Sequence, residues 1–318
     1  MAIGQILGGW LVSADLFGLG WRFGFFINLP ICLLLLALMA FILPETRAAH
    51  VPSFDVPGML LFCVFLLCLL LPVALGARWH ALRWMVLGLA PVAYTLWRTE
   101  NDFEARGIRP LLPPSFFRTP MVMTGLMAEA AVTFGYSGFL FVTALCLQSA
   151  IGFDPLQSGN SFCSLGVMFF FGSLLGKHVK NSRAFLLGSL STILGLIGCG
   201  WSIVTHGIDL RVHQILFWIG MTGLGNALMV TSALRLTLLN VSPQLAGEAS
   251  ATFSTVQQGC FALGTALAGA LYSVFSNLGF RTAFAATLGV FCGLLVMTAI
   301  GVLRSQWLPM HAENVSSA

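Results

Sequence analysis

Glu129 is the one acidic residue set well inside an apolar run, nine residues beyond Pro120. On a helix that spacing is roughly 14 Å, close to the middle of a ~30 Å hydrocarbon core. A charged carboxylate at that depth is costly, so the side chain must face protein or water. Gly125, Thr133, Tyr136 and Ser137 stand at helical spacings from it and draw a polar stripe along one face. Gln257 and Gln258 lie about ten residues past Gly247 and reach a similar depth. Asn226 is a further polar group in an apolar segment. A carboxyl among amides and hydroxyls is suited to exchanging a proton or attracting a cation; the alternative is a carboxyl hydrogen-bonded within helix packing. Glu129, Thr133, Tyr136, Asn226, Gln257 and Gln258 are thus the candidate lining of a substrate and proton pathway.

Other chemistry finds no footing. All eight Cys lie in or at the ends of apolar runs, and none forms Cys-x-x-Cys, so they read as small buried hydrophobes. Of the six His, only His206 and His213 share a short loop, too few for a metal without a third ligand. Gly220, Gly223 and Gly225 follow no strand and so do not make a nucleotide loop. No nucleophile–base pair stands out. No catalytic residue, metal or cofactor is expected, and a membrane enzyme is a distant third reading.

The elements that must position these residues are membrane helices. Hydrophobic residues make up 58% of the chain and charged residues 8%, against roughly 25% charged in a soluble domain. Such a chain needs lipid as its solvent. The net charge of +4 is modest and sits in short loops, which reads as a topology signal and not as a nucleic-acid footprint. Apolar segments run approximately over 3–17, 23–43, 56–76, 82–98, 120–146, 159–176, 184–205, 213–238, 249–275 and 281–303, about ten in all. With the Met1 side taken as cytoplasmic, Arg47, Arg98, Arg106, Arg109, Arg118, Lys177, Lys180, Arg183, Arg235 and Arg304 lie inside. Arg22, Arg78, Arg83, Arg211 and Arg281 lie outside, so the positive-inside rule puts both termini in the cytoplasm. Ile3 to Ala14 ends in Val12-Ser13-Ala14 but lacks the basic start of a signal peptide, and the 3–17 run, at about fifteen residues, is short for a span. Asp55 and Pro57 are expected to cap and open a helix. The long polar stretch from Arg98 to Arg118 reads as a solvated linker and the best internal boundary.

The opening residues carry a motif. Gly4-Gln5-Ile6-Leu7-Gly8-Gly9-Trp10 places Gly4 and Gly8 four apart, a smooth groove for a second backbone. Trp21-Arg22-Phe23-Gly24-Phe25-Phe26-Ile27-Asn28-Leu29-Pro30 follows, with Trp21 and Arg22 suited to an interface. Further on stand Leu147-Gln148 through Gly152-Phe153-Asp154-Pro155-Leu156-Gln157-Ser158-Gly159, then Ala246-Gly247-Glu248-Ala249-Ser250-Ala251 and Gln257-Gln258-Gly259. Together these resemble the fourteen-helix drug:proton antiporter family of the major facilitator superfamily (QacA/EmrB type). The resemblance implies an antiporter-motif helix bearing Gly4, Gln5, Gly8, Gly9, Arg22, Asn28 and Pro30. Gln5 stands where that motif has Pro, which removes a fixed kink. The loop Gly176-Lys177-His178-Val179-Lys180-Asn181-Ser182-Arg183 looks like a degraded copy of the superfamily's basic loop.

The resemblance also implies an all-α membrane protein of major-facilitator fold. Residues 1–47 would be the last two helices of an N-terminal bundle, 48–118 two central helices and a cytoplasmic loop, and 119–318 a complete C-terminal six-helix bundle with a short tail. About four helices would be missing at the front. The implied activity is export of amphipathic, often cationic drugs in exchange for protons by alternating access, in the cytoplasmic (inner) membrane. The partners would be a small amphipathic molecule, protons and the lipid bilayer, with no nucleic acid. The competing reading is a non-transporting remnant or a membrane interaction module.

Overall fold

The computed structural model describes residues 2–15, 18–42, 55–76, 79–108, 110–239, 241 and 245–316, and every regular element among them is helical. The chain opens with α1 (Ala2–Ala14), a helix of 13 residues. Asp15 then adopts a left-handed backbone (φ 41°), and its Oδ1 accepts from the Gly20 amide at 2.7 Å. That bond closes the turn leading to α2 (Phe23–Phe26) and α3 (Asn28–Ile42). Neither α2 nor α3 buries a residue, although Gly20–Ile42 has a mean hydropathy of 2.6. An apolar surface of this kind is stable against hydrocarbon and not against water.

Helix α4 (Val56–Leu75) begins as its sequence signals: Asp55 accepts from the Gly58 amide at 2.7 Å and Pro57 sits in the first turn. The next segment is no single helix. A tight 3₁₀ stretch, His80–Gly88, runs into α5 (Leu89–Ala105), whose last turns carry Glu100, Asp102 and Glu104. A short helix, α6 (Pro114–Arg118), ends the linker.

The rest of the chain packs around a common core. It comprises α7 (Pro120–Leu145), α8 (Pro155–Ser161), α9 (Cys163–Gly176), α10 (Asn181–His206), α11 (Val212–Leu238), α12 (Ala246–Phe275) and α13 (Phe280–Ser316). A five-residue π turn, Cys146–Ala150, extends α7. Asp154 and Gln157 then form a reciprocal capping box that starts α8 at Pro155. Helix α7 packs on α11, α12 and α13, and α10 packs on α11 and α13. Phe139, Phe284, Phe291, Ile215 and Ile219 fill one end of the core, and Val132, Phe185, Met229 and Leu236 fill the other.

Small residues set the helix spacing, as expected where lipid supplies no hydrophobic drive for association. A Cβ on Gly188 of α10 would lie 2.7 Å from the Gly225 carbonyl of α11, and one on Gly225 would strike Gly188 in return. A Cβ on Gly264 of α12 would meet the Phe134 carbonyl of α7.

By length and composition, eight of the described helices can cross a membrane, against about ten apolar segments in the sequence. The two that fall short are α1, at 13 residues, and the 82–98 segment, broken by the 3₁₀ stretch and charged at its end. The remaining segments match within a few residues, with 159–176 divided between α8 and α9 and 23–43 between α2 and α3, except that α13 continues past the 281–303 run to Ser316.

Candidate functional site

Glu129 lies in the third turn of α7 on the side packed against α12, and it is 0% exposed. Thr133, one turn on, donates its hydroxyl to Glu129 Oε1 at 2.7 Å. Gln257 of α12 donates its amide Nε2 to the same oxygen at 2.6 Å. The second oxygen, Oε2, is buried with no hydrogen-bond partner among the described residues. Two neutral donors on one oxygen leave a carboxyl that can still exchange a proton through the other. Ser137 continues this face, against the backbone of α12 at Gly264.

Helix phase divides the remaining candidates. Gln258 is exposed and makes no hydrogen bond to Glu129; a residue next to Gln257 on a helix points about 100° away. Gly125 faces α11, where a Cβ would lie 2.6 Å from the Thr237 amide nitrogen. Tyr136 and Asn226 belong to a second place, an interior cavity of about 20 Å³ lined also by Gly135, Thr192, Thr222 and Phe291. Asn226 Oδ1 and Thr192 Oγ1 are buried there with no hydrogen-bond partner among the described residues. The cavity is large enough for one water molecule bridging such groups. Thr192 carried no distinguishing sequence signal, being one of several hydroxyls along α10.

The antiporter-motif helix packs along α8 and α9, with Leu11 buried. A Cβ on Gly9 would lie 2.6 Å from the Pro155 carbonyl of α8, whereas Gly4 and Gly8 have nothing within 4 Å of theirs. The expected close approach is therefore made by Gly9. Gly4 and Gly8 instead border an open groove shared with Val12, Trp21, Gln148 and Ser158. Across it Gln148 donates to Ser158 Oγ at 3.1 Å. The Arg22 guanidinium lies 4.7 Å from the centre of the Trp21 ring, a cation–π pair suited to an interface. Asn28 Nδ2 reaches the Gly24 carbonyl at 3.5 Å, and Pro30 sits in the first turn of α3. Gln5 is helical in backbone, and its side chain, like all of Pro243 and Gln244, lies outside the described residues.

A family model described as the Major Facilitator Superfamily matches residues 1–265. The chain belongs to this superfamily. Its members are transporters and not enzymes, and this one is a multi-pass integral membrane protein of helical fold. It is 33% identical over 284 residues to a probable actinorhodin transporter of Streptomyces coelicolor, covering 87% of this chain and 49% of that protein. It is 29% identical to the tetracenomycin C resistance and export protein of Streptomyces glaucescens, over 85% of this chain and 50% of that one. A multidrug resistance protein B homolog of Mycobacterium tuberculosis is 28% identical, over 86% and 51% respectively. The chain thus spans about half the length of the curated relatives it matches. The crystal structure of an auto-inhibited POT family peptide transporter shares the fold, with a TM-score of 0.56 at 17% identity, covering 96% of this chain and 68% of that one.

Proposed function

We propose that this chain serves proton-coupled efflux of amphipathic or cationic compounds by alternating access, with Glu129 as the proton-exchanging carboxyl. The observation that carries the reading is a fully buried carboxyl between α7 and α12, with one oxygen satisfied and the other open. Of the two sides that would rock, one is the bundle of residues 119–318; residues 1–47 belong to the other, and 48–118 join them. Arg and Lys distribution supports both ends being cytoplasmic, and the inner membrane is where we place the chain. The export and resistance proteins among the relatives support an amphipathic substrate.

The test is drug-stimulated proton movement across proteoliposomes containing the chain, beside Glu129→Gln. The expected result is flux in the parent and its loss in the variant with folding intact. Flux unchanged in Glu129→Gln would end the assignment. A second reading, a membrane interaction module without transport, is favoured by the absence of buried residues in α2 and α3. It predicts no flux from either protein.

A further inference from the structure

The polar linker after α5 is strapped down by carboxylates. Asp55 does more than cap α4: while Oδ1 takes the Gly58 amide, Oδ2 accepts from the Leu111 amide at 3.1 Å, across 56 residues of sequence. Glu100 of α5 is only 1% exposed, and its Oε2 accepts from the neighbouring Leu112 amide at 3.1 Å. The other oxygen, Oε1, is buried with no hydrogen-bond partner among the described residues. It converges with Asp55 on one spot: a Cβ on Gly58 would meet the Asp55 carboxyl and lie 2.6 Å from Glu100 Oε1. Gly58 is what lets the two acids come together.

The surrounding charges do not neutralise the pair. Arg83, on the 3₁₀ stretch, donates to the Gly76 carbonyl at the far end of α4. Arg98 lies over the Tyr94 ring, and Arg118 of α6 donates to Asn101. Arg106 and Asp102 are exposed, and Glu104 takes the Ser115 amide. Helix α12, packed on α4, brings Glu248 in its first turn, another negative group. Arg109 lies outside the described residues. Among the described residues no cation stands between these two carboxylates, so a charge on Glu100 beside Asp55 is costly.

We propose that a proton held on the buried Glu100 carboxyl, set against Asp55 at Gly58, makes the pair a pH-sensitive strap fastening the linker at Leu111 and Leu112 to the α4–α5 hairpin. With the proton bound, the Glu100 carboxyl donates to Asp55 and both acids keep their linker amides. When the proton passes to solvent water, the pair carries two negative charges, the acids part and the amides are released. Burial holds the Glu100 carboxyl up at about 7; the Leu112 amide works against this rise and the Asp55 charge adds to it. A proton held more tightly in the docked state than in the released one favours docking at low pH. Docking is then strongest below the ordinary value of 4.5 and weakens as pH rises through about 7.

Hydrogen–deuterium exchange of the Leu111 and Leu112 amides in the full chain in lipid nanodiscs tests this, with intrinsic exchange rates corrected for pH. Between about pH 5 and about pH 8.5, protection of these two amides should fall about tenfold or more, while amides of α7 and α11 stay protected. In Glu100→Gln, whose amide can still donate to Asp55, the step should vanish and protection persist throughout. In Asp55→Asn, which removes the neighbouring charge, the step should move to lower pH. Protection independent of pH in the parent chain would overturn the proposal, as would an unchanged step in Glu100→Gln or an unmoved midpoint in Asp55→Asn. None of these readings depends on transport, so the outcome stands apart from the role of Glu129.

Discussion

At Glu129 two donors crowd one oxygen and leave the other bare, so the neighbours of this carboxyl should be energetically coupled. Thr133→Val and Gln257→Leu each remove one donor from a buried acceptor, at an expected cost of about 1–3 kcal/mol. Their effects should be non-additive, and in a Glu129→Leu background each should fall below about 0.5 kcal/mol. Denaturant unfolding in detergent measures both. Glu129 was legible in the sequence because a carboxyl deep in an apolar run has few tolerable surroundings. Which of Gln257 and Gln258 faces it was not. Adjacent positions differ by about 100° in phase, and the phase depends on where α12 starts and how it is rotated in the bundle. The same limit merged Tyr136 with Ser137, which turn to different neighbours. Glu100 went unread for another reason: it sits in a charged, polar stretch where solvation is the ordinary outcome, and only Gly58, three residues after Asp55, hints at a crowded place.

Between elements, glycine decides how near two backbones come. Gly264→Val would drive a branched side chain into the Phe134 carbonyl and force α12 off α7. An overpacking cost of about 1–3 kcal/mol or more is expected, seen as a lowered thermal midpoint in detergent. The separation also pulls Gln257 from Glu129, so proton movement should fall together with stability. Gly9→Val should act differently. It breaks the seat of α1 on Pro155 while leaving the α7–α13 core untouched. Cysteine cross-linking between α1 and α8 should then weaken, with an unchanged unfolding midpoint for the bundle. The Gly4–Gly8 spacing announced a close approach, yet spacing alone does not say which small residue is in contact. The capping box at Asp154 and the cap at Asp55 were easier to read, since each needs only residues within one turn.

Across the whole molecule, apolar exposure maps where lipid must lie. Leu36 on α3 is 63% exposed whereas Ala128 on α7 is fully buried. A nitroxide at residue 36 should collide freely with oxygen and rarely with a polar nickel chelate; one at 128 should meet neither unless the bundle opens. Electron paramagnetic resonance in nanodiscs reads both. The helical membrane class followed directly from composition, because no aqueous core hides so much apolar surface. The 3₁₀ break before α5 did not, since an apolar run reads alike whether its backbone is tightly or loosely wound. One feature sets the mechanics of the opening helix. Gly9 presses on the Pro155 main chain, and α1 is held along α8 and α9 with Leu11 buried. A helix seated along two others in this way has no slack at Gly9, where its backbone already touches that of Pro155, so α1 must follow α8 when α8 shifts.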